Sequence, residues 1–152
     1  MARKVRGIKK IRQVRIMVFG TFDGLHKGHL HFFAQARKLA QKSSMPFLIA
    51  SIARDKNVKN IKNKISRLKE RARMSLVKKS SLIDKVILSG IKNHIPHIVK
   101  EKPDIIALGY DQSAYTKNLK KDLQNKGIFV KIVRLKPYKI KFYNNHLLRK
   151  KR

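Results

Sequence analysis

Five short apolar runs alternate along this chain with segments of helical spacing. The runs are VRIMVF (14–19), FLIASI (47–52), VIL (86–88), DIIAL (104–108) and FVKIVRL (129–135). They are rich in β-branched and aromatic residues and are punctuated by Gly20, Gly90, Gly109 and Pro137, as buried strands are. Strand followed by helix, repeated, implies an α/β fold: a parallel, doubly wound sheet of about five strands with helices on both faces. Ligands of such sheets bind outside the carboxyl ends of the strands.

The segments between the runs predict the helices. One spans about Lys27 to Lys42, where Leu30, Phe33 and Ala34 carry the i, i+3, i+4 spacing and Phe32, Ala36 and Leu39 widen the apolar face. Residues 53–65 are polar and basic and are expected to be mobile. A second helix fits Ser66 to Lys79, a short one His97 to Lys100, and another Thr116 to Lys126, closed by Gly127 at the usual C′ place. Residues 1–13 read as a basic arm, 14–138 as the folded domain, and 139–152 as a basic tail with room for one short helix. No internal repeat is visible.

Composition narrows the function classes. A length of 152 residues suits one domain with its own core. The absence of cysteine excludes disulfides, thiolate metal sites and cysteine nucleophiles. No apolar run approaches the roughly 20 residues of a membrane span. The basic N-terminus lacks the features of a secretion signal, so the cytoplasm is the expected location. Lys and Arg number 39 against 8 Asp and Glu, a net charge of +31. Such a field draws polyanions: nucleic acid, anionic membrane or phosphorylated small molecules. It also fits a merely solvated Lys-rich surface.

The chemistry gathers where the first strand hands over to the first helix, in GTFDGLHKGH (20–29). Gly20, Gly24 and Gly28 allow close approach of backbone to a ligand. A helix start offers free N–H groups and positive potential to a phosphate. His26 and His29, three apart, share one face and can donate to the same anion. A zinc site would need a third ligand, and none is apparent, so no metal is assigned to the protein itself. Neither the dinucleotide fingerprint G-x-G-x-x-G nor the Walker A pattern occurs.

This segment resembles the G-T-F-D-x-x-H-x-G-H motif of the cytidylyltransferase-like nucleotidyltransferases. These are Rossmann-like enzymes that join a nucleoside triphosphate to a phosphorylated acceptor and release pyrophosphate. The likeness runs from about Arg15 to Tyr138, through IARDKNV, Arg73 with LIDKVILSG, and KPDIIALGYDQ. PDIIALGYDQ and VRLKPY are most similar to the archaeal-type FAD synthases. The resemblance therefore implies transfer of AMP from ATP to FMN, with Mg²⁺ brought in on ATP. Relatives of this type are often homodimers. The glycerol-3-phosphate cytidylyltransferase group, using CTP and a polyol phosphate, shares the first motif, but its R-T-E-G-[IV]-S-T-[ST] segment is missing here. A nucleic-acid-binding protein on the same fold is the rival from another class.

On this reading His26 and His29 are the catalytic donors to the α-phosphoryl group. Thr21 and Phe22 place backbone groups near the nucleotide, and main-chain N–H groups of Lys27 and Gly28 face phosphate. The resemblance gives Asp111 a contact with ribose or base; a turn-forming loop Asp is the alternative. Tyr138 either stacks on adenine or closes the core. Asp23 is either a site residue or an Asx-type turn or cap. Lys56 and Arg73 are candidate phosphate contacts, with Arg54 and Lys59 nearby and Arg67 and Arg71 crowding the register. The family's Ser-Ser or Ser-Thr step near the C-terminus is replaced by Asn144 and Asn145.

Overall fold

The computed structural model describes residues 12–41, 44–62, 66–112 and 118–137. Its centre is one parallel sheet in the order β3-β2-β1-β4-β5. The strands are β1 (Arg12–Gly20), β2 (Ser44–Ile52), β3 (Lys85–Leu88), β4 (Ile105–Leu108) and β5 (Lys131–Arg134). The helices are α1 (Lys27–Arg37), α2 (Asp55–Lys62), α3 (Glu70–Lys78), α4 (Ile95–Glu101) and α5 (Leu119–Asn125). The α/β doubly wound expectation therefore holds, helices on both faces included.

Alternation along the strands builds two cores. Ile16, Val18, Leu48, Ala50 and Ile52 face α1 and α3, meeting Phe33, Ala36 and Val77. Met17, Ile49, Ile106 and Leu108 face α4 and α5, meeting Ile98, Leu119 and Leu123. With both faces covered, Ile16, Met17 and Val18 are all fully buried, and this is why the first strand reads as a continuous apolar run.

Several boundaries differ from the sequence reading. β1 starts at Arg12, inside the expected arm, because Arg12 and Gln13 pair with Ser44 and Met45. Pro46 lies within β2, where it is tolerated because β3 pairs with β2 only from Ile49 onward, so that half of β2 is an edge. Helix α1 ends at Arg37, and the chain tightens into i→i+3 turns through Ala40. The stretch expected to be mobile contains α2. Asn57 and Val58 are buried, the Asn57 side chain donating to the Gly90 carbonyl (2.8 Å).

Strand order changes direction at β1, with β2 on one side and β4 on the other. The ladder toward β2 runs to Gly20↔Ile52, whereas that toward β4 ends at Val18↔Ala107. β1 and β4 part at this fork, at the carboxyl edge, where doubly wound sheets bind ligands.

Candidate active site

β1 delivers the chain to the fork, and Gly20 lets it turn. A Cβ there would lie 2.5 Å from Phe22 Cζ. Phe22 adopts a left-handed φ of 52°, which an aromatic residue accepts only when its surroundings demand it. The demand is burial: its ring packs on Phe33 (centroids 5.2 Å apart) and stands edge-on to His29 (5.4 Å). Phe22 is thus the floor under His29, and its side chain faces the core rather than a nucleotide.

His26 is the N-cap of α1. Its Nδ1 accepts the Gly28 N–H (2.9 Å), while His29 Nδ1 accepts the His26 N–H (3.3 Å). The two histidines form a reciprocal capping box, a job usually left to Ser or Thr with Glu. The rings stack at 3.9 Å, 25° from parallel. A neutral imidazole has one donor and one acceptor nitrogen. Each Nδ1 is fixed as acceptor by a backbone N–H, so each ring proton sits on Nε2. In the neutral rings this leaves two Nε2–H donors, on adjacent stacked imidazoles at the carboxyl edge of the sheet. The Gly28 N–H is thereby engaged by the His26 ring. Glycine is required there because a Cβ would lie 2.7 Å from His26 Cε1.

Asp23 is neither an Asx turn nor a helix cap. Its carboxylate reaches across the fold to accept the backbone N–H groups of Arg67 and Leu68, ahead of α3. Burial pushes its pKa up, but those two bonds and the charges of Arg67 and Arg73 outweigh it and leave the group below its ordinary value. The Arg67 guanidinium in turn approaches the Asp23 carbonyl (3.4 Å).

Arg73 is fully buried and turned inward, donating to the carbonyls of Thr21 (2.8 Å) and Leu68 (3.0 Å) and to Asp55 Oδ1 (2.7 Å). It brackets the motif loop from below, with all three guanidinium nitrogens engaged. The Thr21 carbonyl is consumed in the same way. Asp55 also accepts the Glu70 N–H, and Glu70 accepts the Asp55 N–H and pairs with Arg54 (3.2 Å). This reciprocal pair joins the starts of α2 and α3. Lys56 and Lys59 stay exposed on α2, one turn apart, and Lys27 is exposed at the start of α1.

Asp111 lies exposed just past β4. Its Oδ1 would be 3.6 Å from a Cβ on Gly109, so the carboxylate lies alongside the strand end. Two neighbours overlooked in the sequence hold this turn: Gln112, bonded to the end of β1, and Arg134 of β5. Neither role is visible without knowing that β1 and β4 part here. Tyr138, Asn144 and Asn145 lie outside the described residues.

The family described as cytidylyltransferase-like matches residues 17–147. The chain belongs to that family. The match takes in His26 and His29. A curated protein of Thermoplasma volcanium named FAD synthase is 34% identical over 138 residues, covering 91% of this chain and 93% of the relative. One of Korarchaeum cryptofilum with the same name is 40% identical over 121 residues, covering 80% of each chain. Among solved structures, one from Thermoplasma volcanium, described as a lipopolysaccharide core biosynthesis protein, superposes with a TM-score of 0.74. It is 35% identical and covers 82% of this chain and 98% of its own. A protein of unknown function from Archaeoglobus fulgidus, at 14% identity and a TM-score of 0.61, shares the fold alone. Among the described residues, no helix of this cytidylyltransferase-like chain is long and apolar enough to cross a membrane.

Proposed function

We propose that this chain transfers AMP from ATP to FMN, giving FAD and pyrophosphate. The reading rests on one observation above all. Two stacked imidazoles, each held by a backbone N–H as an Nε2–H donor, stand at the fork of a parallel sheet. The relatives named FAD synthase, matched over most of their length, support the choice of substrates.

A phosphate monoester has a second pKa near 6, so the FMN phosphate is largely dianionic at neutral pH and needs no general base. One of its oxygens forms a bond to the α-phosphorus of ATP while the bond from that phosphorus to the bridging oxygen breaks. The electron pair leaves with pyrophosphate. Catalysis reduces to holding two anions in line and neutralising charge at the α-phosphoryl group. His26 and His29 donate from Nε2 to its oxygens. Asp111 holds the ribose or base beyond β4, and Lys27 and Lys56 supply positive charge to the phosphate chain. Arg73 acts at one remove, by fixing the Thr21 carbonyl and the start of α2.

No three His, Asp or Glu residues among those described gather to ligate a metal. Mg²⁺ would be carried by the triphosphate and its waters, with the protein as an outer contact. Such an ion would screen the outer phosphates.

The test is a panel of nucleotide and acceptor pairs with Mg²⁺. ATP with FMN should release pyrophosphate and yield FAD. Turnover of CTP with glycerol 3-phosphate in its place would move the assignment to a cytidylyltransferase. Failure of both pairs together with tight, salt-sensitive RNA binding would favour a nucleic-acid-binding role.

A further inference from the structure

β1 is paired unequally on its two sides. Toward β2 it is closed as far as Gly20, whose carbonyl accepts the Ala53 N–H (2.9 Å). Toward β4 the register stops at Val18↔Ala107, and the backbone groups beyond need other partners. The Gln112 side chain supplies them. Its Oε1 accepts the Gly109 N–H (2.8 Å), and its Nε2 donates to the Phe19 carbonyl (2.6 Å). A carboxamide carries acceptor and donor in one plane, like a peptide unit. It acts as one extra rung between strands that have parted.

Arg134 holds the same turn from β5. Its Nη1 donates to the carbonyls of Gly109 (2.8 Å) and Gln112 (2.6 Å). The Gln112 N–H closes the turn on the Gly109 carbonyl (3.2 Å). Asp111 is therefore carried on a four-residue turn tied to β1 on one side and to β5 on the other.

We infer that Gln112 and Arg134 are positioning residues for the nucleotide: they fix Asp111, and with it the nucleoside, relative to the His26–His29 pair. The inference rests on the adenylyl-transfer reading above. Neither side chain has to touch substrate. What they set is the span between two halves of the site that belong to different strands, and a misplacement of about 1 Å across such a span can cost on the order of 100-fold in rate.

Three variants test it: Gln112→Leu, which keeps the volume and removes the amide, Arg134→Met, and Arg134→Lys. Each is measured for ATP binding without acceptor, FMN binding, steady-state kinetics and hydrogen exchange of the Gly109 amide. Gln112→Leu should speed Gly109 exchange and weaken ATP binding roughly tenfold, the worth of about one hydrogen bond, with the KM for ATP rising in step. FMN binding should stay within about twofold, since the acceptor phosphate meets the other half of the site. Arg134→Lys, which keeps one donor, should recover most of the ATP affinity that Arg134→Met loses.

Faster Gly109 exchange with ATP affinity unchanged would overturn the inference, and so would equal weakening of ATP and FMN binding, the mark of a general loosening. In both cases a wild type that still makes FAD leaves the parent reading standing. A wild type that neither binds ATP nor makes FAD overturns both.

Discussion

The proposed mechanism gives His26 and His29 two jobs on two different nitrogens, and the jobs can be separated. Nδ1 closes the capping box; in the proposed mechanism Nε2 is the donor to the phosphoryl group. Asn presents an acceptor near the Nδ1 position and is among the best N-cap residues. His26→Asn should therefore leave the melting temperature within a few degrees of wild type, while kcat falls about 100- to 1000-fold, the cost of one lost transition-state donor. A large drop in melting temperature with kcat preserved would show that His26 is a cap and nothing more. Gly28 gives a second test. Ala is the better helix former by about 1 kcal/mol, yet its methyl would press on His26 Cε1 at 2.7 Å. Gly28→Ala should lower kcat at least about tenfold without lowering stability, because the ring must leave its stack. Wild-type kcat in Gly28→Ala would mean that the stacked geometry is not the working one.

The strands and helices were legible because their signals are local. Ile16, Met17 and Val18 announce a strand buried on both faces, and Phe33 with Ala36 a helix stripe. The motif loop was legible as chemistry but not as architecture. Asp23 reads as either a site residue or a turn or cap, yet its partners are 44 and 45 positions away. Arg73 reads as a candidate phosphate contact, yet it is the largest fully buried side chain among the described residues and ties α3 to Thr21 and Asp55. Helix α2 was missed because its polar sequence has little apolar face; it is held by Asp55, Glu70 and Asn57 through hydrogen bonds. Such links depend on register and topology, which spacing alone does not carry. They predict that Arg73→Met destabilises the fold by about 3 kcal/mol, the lower range for breaking a buried pair, because Asp55 keeps partial access to water. Chemical denaturation measures it; a loss under about 1 kcal/mol would show that the Arg73 bracket is dispensable.

Six of the eight acids are tied into the fold, while Asp111 and Asp122 lie exposed. Asp23, Asp55, Glu70, Asp84, Glu101 and Asp104 are all engaged with backbone N–H groups or with Arg and Lys. A net charge of +31 is left to repel itself, so salt should stabilise the protein: the melting temperature should rise between about 0.1 and 1 M NaCl as the screening length shrinks to about 3 Å. A flat salt response would contradict that. Acid should act in two windows. On the α4 face, His97 bonds Ser51 (2.9 Å), and burial with the nearby charge of His94 pushes its pKa down to about 4, against the pull of Glu101. The unfolded chain then binds the extra proton first, and stability falls as pH drops from 6.5 toward about 4. Asp23 and Asp55, held below 3.8, lose their contribution only as pH falls further. Thermal melts of His97→Gln should show the upper window flattened, and an unchanged profile would refute the assignment. All of this surrounds one reaction, and isotope transfer tests it most directly. With FMN and Mg²⁺, label on the α-phosphorus of ATP should appear in the flavin product and label on the γ-phosphorus in pyrophosphate. Label released as inorganic phosphate, or α-label that never reaches the flavin, would contradict the account.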